Sequence, residues 1–220
     1  MRALHVALFA LLPLFATASL AADAVLPDYA QAVPGKVFSF PADRGAHPDF
    51  RTEWWYVTGW LDTGDGKPLG FQVTFFRTRP PTDQRNPSAF AARQVLFAHA
   101  ALSDPAVGHL LHSQRVAREG FGLAQASTAD ADIVLEDWSF KRDADGRFHS
   151  RAGGAEFLLD LDFAPTQQVL LEGQNGLSRK GPLAAQASYY YSLPHLAVLG
   201  SIMRGGKTVA VKGAAWLDRE

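Results

Sequence analysis

Strict alternation of apolar and polar residues over short runs most limits what this chain can become. Residues 157–163 read Phe-Leu-Leu-Asp-Leu-Asp-Phe, placing Phe157, Leu159, Leu161 and Phe163 opposite Asp160 and Asp162. A period of two puts one set of side chains on each face of a β-strand, and no segment carries a convincing helical stripe. Residues 53–61 form another such run, rich in aromatic and β-branched residues. The next six, Asp-Thr-Gly-Asp-Gly-Lys, tolerate the positive φ of a hairpin turn and lead to a return strand over 69–77. Further strands are expected over 94–103, 133–140, 147–151, 157–163, 168–172, 187–192, 196–203 and 208–218. Residues 115–128 fit either a short helix or a strand, and 80–92 form a polar loop. Roughly ten to twelve strands without a βαβ rhythm predict an all-β fold. A barrel or a curled sandwich is the natural closure, because it removes unpaired edges.

The N-terminus predicts export. Arg2 precedes an apolar run over 3–18, and Ser19-Leu20-Ala21 ends it with small residues where a signal peptidase reads. The run is shorter than the ~18 residues a membrane span needs and contains Pro13. Residues 1–21 therefore read as a cleaved signal peptide, and the destination as periplasmic or secreted. Pro27, Pro34, Pro41 and Pro48 make 22–52 an irregular lead-in, leaving 53–220 as the β-domain. The 220-residue chain has no cysteine, so neither disulfides nor thiolate metal sites can form. Its net charge of −1 without a basic block argues against a nucleic-acid partner. It has no Gly-rich phosphate loop and no G-x-S-x-G elbow. His109 and His112 read as part of a polar loop rather than a metal site, and no cofactor is expected. The final β pattern runs to Glu220 without a turn, which predicts a fragment of a longer chain.

Two aromatic clusters and two carboxylates are candidate site residues. Glu53 shares a face with Trp55, Val57, Gly59 and Leu61; Trp54, Tyr56, Thr58 and Trp60 take the other. A carboxyl beside indole rings would have a raised pKa and could act as a general acid. The alternative is a strand-end Glu, solvated or paired with Arg51. Tyr189 and Tyr191 share a face, where phenols suit either barrel wall or a ligand pocket. Trp216 and Asp218 also share a face, beside the small residues Gly213, Ala214 and Ala215. Asp218 reads equally as an acid site or as the start of a turn. His99, inside a confident strand, reads as a core histidine or a ligand contact. Glu53, Tyr189, Tyr191 and Asp218 are together expected to edge one pocket.

Several segments resemble one family. They are His47-Pro48-Asp49-Phe50-Arg51-Thr52-Glu53-Trp54-Trp55-Tyr56, Gly70 to Arg77, Ala98 to Asp104, Tyr190-Tyr191-Ser192, and Gly213 to Glu220. In that order they are similar to the AttH and carotenoid 1,2-hydratase family. The resemblance implies a lipocalin-like antiparallel barrel, the first of two tandem barrel-like domains. It also implies an apolar, isoprenoid- or lipid-like ligand contacted by Trp55, His99, Tyr189, Tyr191 and Trp216. In the hydratase branch, Asp218 would protonate a terminal alkene, with Trp216 beside it steadying the cation. That branch carries a His-x-Trp pair where this chain has Tyr189-Tyr190-Tyr191, so the resemblance leans toward the AttH branch. Members of that branch accompany ABC-transporter permeases, which makes such a complex a second expected partner.

Overall fold

The aromatic strand anchors the molecule. In the computed structural model, which describes residues 28–83 and 85–220, it forms β1 (Thr52–Asp62). A hairpin joins it to β2 (Leu69–Thr78), and β3 (Val95–Ser103) and β4 (Leu110–Arg118) continue the meander. Then come β5 (Ala124–Ala126), β6 (Asp132–Leu135), β7 (Trp138–Arg142), β8 (Phe148–Gly153) and β9 (Phe157–Pro165). Three short strands follow: β10 (Leu170–Leu171), β11 (Leu177–Arg179) and β12 (Ala187–Tyr189). The long hairpin of β13 (Tyr191–Arg204) and β14 (Lys207–Arg219) completes the described chain. The expected leader, residues 1–21, lies outside the described residues. No helix among those described is long and apolar enough to cross a membrane.

The main sheet runs β4-β3-β2-β1-β14-β13-β9-β8-β7-β6-β5, every pair antiparallel. β10 adds to β13, and β11 pairs with β12 in a small separate ribbon. The β3–β4 side curls to face β5, β6 and β8, giving a nearly closed barrel. The all-β, lipocalin-like expectation therefore holds. β1 meets β14 as a direct neighbour, so residues far apart in sequence share a seam: Trp55 faces Arg219 and Tyr56 faces Asp218.

Parity decides what fills the barrel. Trp55, Val57 and Leu61 point inward from β1; Phe71, Val73 and Phe75 from β2; Phe157, Leu159, Leu161 and Phe163 from β9. Phe75 packs near Trp138 and Phe140, and Phe71 stacks on Phe163 at 6.0 Å. Each such side chain contributes about 1.5–3 kcal/mol by leaving water. The greasy inner face is thus packed core around the barrel centre.

Three local expectations need correction. Residues 133–140 are two strands, because Glu136 takes a positive φ of 56° and reverses the chain before Trp138. The ambiguous 115–128 stretch is β-structure, the end of β4 and then β5, with no helix. His112 lies within β4 rather than in a polar loop, and it is exposed, as is His109.

Candidate functional site

Glu53 enters the barrel end from the first turn of β1, on the inward parity of the core residues. Arg77 is the last inward residue of β2, and Arg219 ends β14 on that same inward side. Three charged side chains thus converge where the apolar filling stops. Arg77 donates to Glu53 Oε1 at 2.5 Å, and Arg219 donates to Oε2. The His47 backbone N–H adds a bond to Oε1 at 2.7 Å. The guanidiniums are held in turn: Arg77 donates to the carbonyls of His47 (2.9 Å) and Phe50 (3.0 Å), and Arg219 to that of Gly45 at 2.6 Å. Arg219 also lies 4.2 Å from the Trp55 ring centroid, while the Trp55 indole N–H donates to the Arg44 carbonyl.

Burial alone would push the Glu53 carboxyl up. The charge of Arg219, a hydrogen bond to the His47 side chain and the charge of Arg77 outweigh it and hold the group well below the usual carboxylate range. This corrects the general-acid expectation: Glu53 is a fixed anion. Its partners are Arg77 and Arg219, not Arg51. Trp55 is buried in the core beneath this cluster and does not line the cavity.

His47 extends the network outward. Its Nδ1 lies 3.1 Å from Glu53 Oε2, and its Nε2 lies 3.0 Å from Asp43 Oδ1. Burial raises Asp43, but Lys36 at 2.7 Å and the Ser39 amide more than offset this and lower its pKa. Above these groups opens a cavity of about 430 Å³. Tyr29, Phe38, Phe50, Tyr189 and Tyr191 supply its aromatic walls, and Glu53, His47 and Arg219 its polar floor. The Tyr189 hydroxyl accepts from the Val33 N–H and donates to the Val33 carbonyl, each at 3.0 Å, tying the lead-in across the opening. Tyr191 is buried edge-on against Phe38 and Phe40. Burial pushes its phenol up, so it stays neutral.

Asp218 lies elsewhere. It alternates with Arg219 and therefore faces outward from β14, as does Trp216. This corrects the expectation of one pocket edged by Glu53, Tyr189, Tyr191 and Asp218. Asp218 Oδ1 accepts from the Trp216 indole N–H (2.5 Å) and from the Ser192 hydroxyl (2.6 Å). The Ser192 oxygen also lies 3.0 Å from Glu172 Oε1. Tyr190, pointing away from its two neighbours, meets this group; burial first, then its bond to Asp218, push its phenol up to about 12. His99 is on the outer face too, near the rings of Phe76 and Phe97 at 5.7 and 6.1 Å. It is exposed, so the core-histidine reading is corrected.

Sequence reasoning missed Arg77, Arg219, His47 and Asp43. The first two had a signal, since each continues an inward series (Phe71, Val73, Phe75, Arg77; Ala215, Leu217, Arg219). An arginine in core register requires a buried counter-charge. Among the described residues, no three His, Asp or Glu side chains group as metal ligands.

Sequence comparison places this geometry among known proteins. The AttH-like family matches residues 31–220, which includes both charged clusters. The chain belongs to the AttH-like family. A crystal structure of an AttH protein from Nitrosomonas europaea is 56% identical, with a TM-score of 0.78. The match covers 86% of this chain and 57% of that one. Kievitone hydratase from Nectria haematococca superposes with a TM-score of 0.62 at 12% identity, a likeness of fold alone. That match covers 88% of this chain and 54% of the hydratase. The AttH-like chain thus spans little more than half the length of either solved relative. No curated protein sequence matches it.

Proposed function

We propose that this AttH-like protein binds an apolar small molecule of isoprenoid or lipid type, bearing one polar end, outside the cytoplasm. The observation that carries this is the cavity at the barrel end. Five aromatic side chains wall it, and a pre-organised ionic group forms its floor. Apolar walls with a few fixed polar groups are the usual make-up of a small-molecule site, and 430 Å³ suits a compact ligand. The floor charges are already paired, so they orient a polar end by hydrogen bonding without demanding a counter-ion. The test is native mass spectrometry of the purified protein after incubation with an envelope lipid extract. A retained apolar species is expected. Ala187→Trp, which puts an indole into the cavity from β12, should abolish retention while leaving the fold intact. Repeated failure to retain any species would sink the reading. An empty barrel that co-purifies with a permease would replace it with an accessory role in a transporter complex.

The Asp218 group favours a second reading, a hydro-lyase adding water to a terminal isoprenoid alkene. A half-buried carboxylate beside Trp216, Tyr190 and Ser192 offers both a proton-handling group and an aromatic face for a cation. Its signature is a mass gain of one water on lycopene or neurosporene. Asp218→Asn should lower that rate by about a hundredfold or more, the usual worth of a positioned acid. Full activity in the variant would remove Asp218 from the role.

A further inference from the structure

Beyond the cavity, one surface is built in a way the ligand reading does not use. Phe90, in the loop between β2 and β3, is 70% exposed, and Phe121, between β4 and β5, is 59% exposed. Their rings stack at 5.3 Å and 13°. The Arg118 guanidinium lies over both, 4.1 Å from the Phe121 centroid and 5.0 Å from that of Phe90. Arg118 also donates to the Ala89 carbonyl, so two loops are fixed as one tip. Phe121 sits at φ 59° between Gly120 and Gly122, both also at positive φ. A bulky side chain is uncommon in that conformation, and here it points the ring away from the core. Leu123 is exposed just beyond.

We infer that this tip docks the protein on an anionic lipid surface, with Phe90 and Phe121 entering the headgroup region. Clustered exposed aromatics mark a contact surface, and large rings flanked by cations suit a membrane interface. The charge complement favours lipid over a second copy. Around the stacked rings Arg93 and Arg118 outnumber Glu119, while Arg85 is paired with Asp83 and Arg79 with Asp49, so the tip keeps a net positive charge. Two copies meeting tip to tip would oppose like charges, whereas anionic headgroups neutralise them. Register adds a geometric reason. Thr52 pairs with Thr78, Thr78 with Val95, and Val95 with Arg118. The tip and the cavity-lining Thr52 and Glu53 therefore occupy the same barrel end. Docking through the tip turns that end, with its cavity, toward the bilayer.

The test compares wild type with Phe90→Ser/Phe121→Asn, both made as the full chain. Asparagine tolerates positive φ, so the loop keeps its backbone. Each protein is sedimented with phosphatidylglycerol/phosphatidylcholine vesicles and with pure phosphatidylcholine vesicles. Wild type is expected to partition onto the anionic vesicles and to be released by salt. The variant should bind about tenfold more weakly or less, with an unchanged melting temperature. Both proteins carry the same N-terminus, so the difference reports on the tip. Equal sedimentation of the two proteins, equal binding to neutral vesicles, or no binding by wild type overturns the inference. So does a wild-type dimer that the variant loses, since that assigns the tip to a second copy. Ligand retention in the cavity is a separate readout and stands or falls independently.

Discussion

Glu53→Gln is expected to destabilise the fold by about 3–5 kcal/mol, because it leaves Arg77 and Arg219 buried without a counter-charge. The amide still fits the space and can accept some of the same hydrogen bonds, so the loss reports on charge rather than volume. A urea titration followed by tryptophan fluorescence measures it, with Trp55 stacked on Arg219 as a local reporter. The wild type should reach the same loss in acid. Glu53 has a folded-state pKa depressed below its ordinary value of 4.5. Its contribution is therefore complete above that value and drains away as pH falls through the depressed one. Asp43, depressed from 3.8, adds in the same direction. Between about pH 5 and pH 2 the wild type should lose stability more steeply than the variant, which has no proton to take up at position 53. Parallel pH profiles would mean that Glu53 is not the anion that neutralises the two arginines.

How far the sequence foretold this arrangement depends on parity. Alternation along residues 53–61 and 157–163 identified strands and the two residue sets on each. It left open which set faced inward, since a shift of one residue exchanges them. The answer comes from pairing: β1 lies between β2 and β14, so Glu53, Arg77 and Arg219 meet inside, while Tyr56, Ser192 and Asp218 meet outside. Tyr189 and Tyr191 were legible as neighbours on one side. Their partners Phe38 and Phe50 were not, because the irregular lead-in has no periodicity from which to read a direction. Asp218 was singled out for its indole neighbour, and that contact exists; its assignment to the Glu53 pocket failed because adjacent residues on a strand face opposite ways. The break at Glu136 was missed because nothing in Leu-Glu-Asp-Trp announces a positive φ.

Gly59→Ala tests the seam on which both charged clusters depend. An added methyl group there would overlap the Ala214 carbonyl oxygen, come within 2.8 Å of the Ala215 Cα, and come within 2.9 Å of the Phe71 ring. Two of these obstacles are backbone atoms of the neighbouring strand, which cannot rotate aside. Gly213 is similarly confined by the Trp60 carbonyl on the same seam. The glycines let β1 and β14 approach closely while Phe71 fills the interior beside them. Relief requires β1 and β14 to separate, at a cost of about 1–3 kcal/mol or more. The separation acts where Arg219 must reach Glu53 and where Asp218 faces Tyr56, so one methyl group should loosen both sites. Gly70→Ala is the control: its added carbon would meet only Ser103 Cβ, at 3.4 Å, and should be nearly neutral. Chemical denaturation of the two variants should separate them clearly, and amide exchange of residues 54–60 should rise in Gly59→Ala alone. Similar shifts in both would show that the β1–β14 seam has slack. The closeness of the Glu53–Arg219 pair would then owe nothing to strand spacing, and would rest on the side chains themselves.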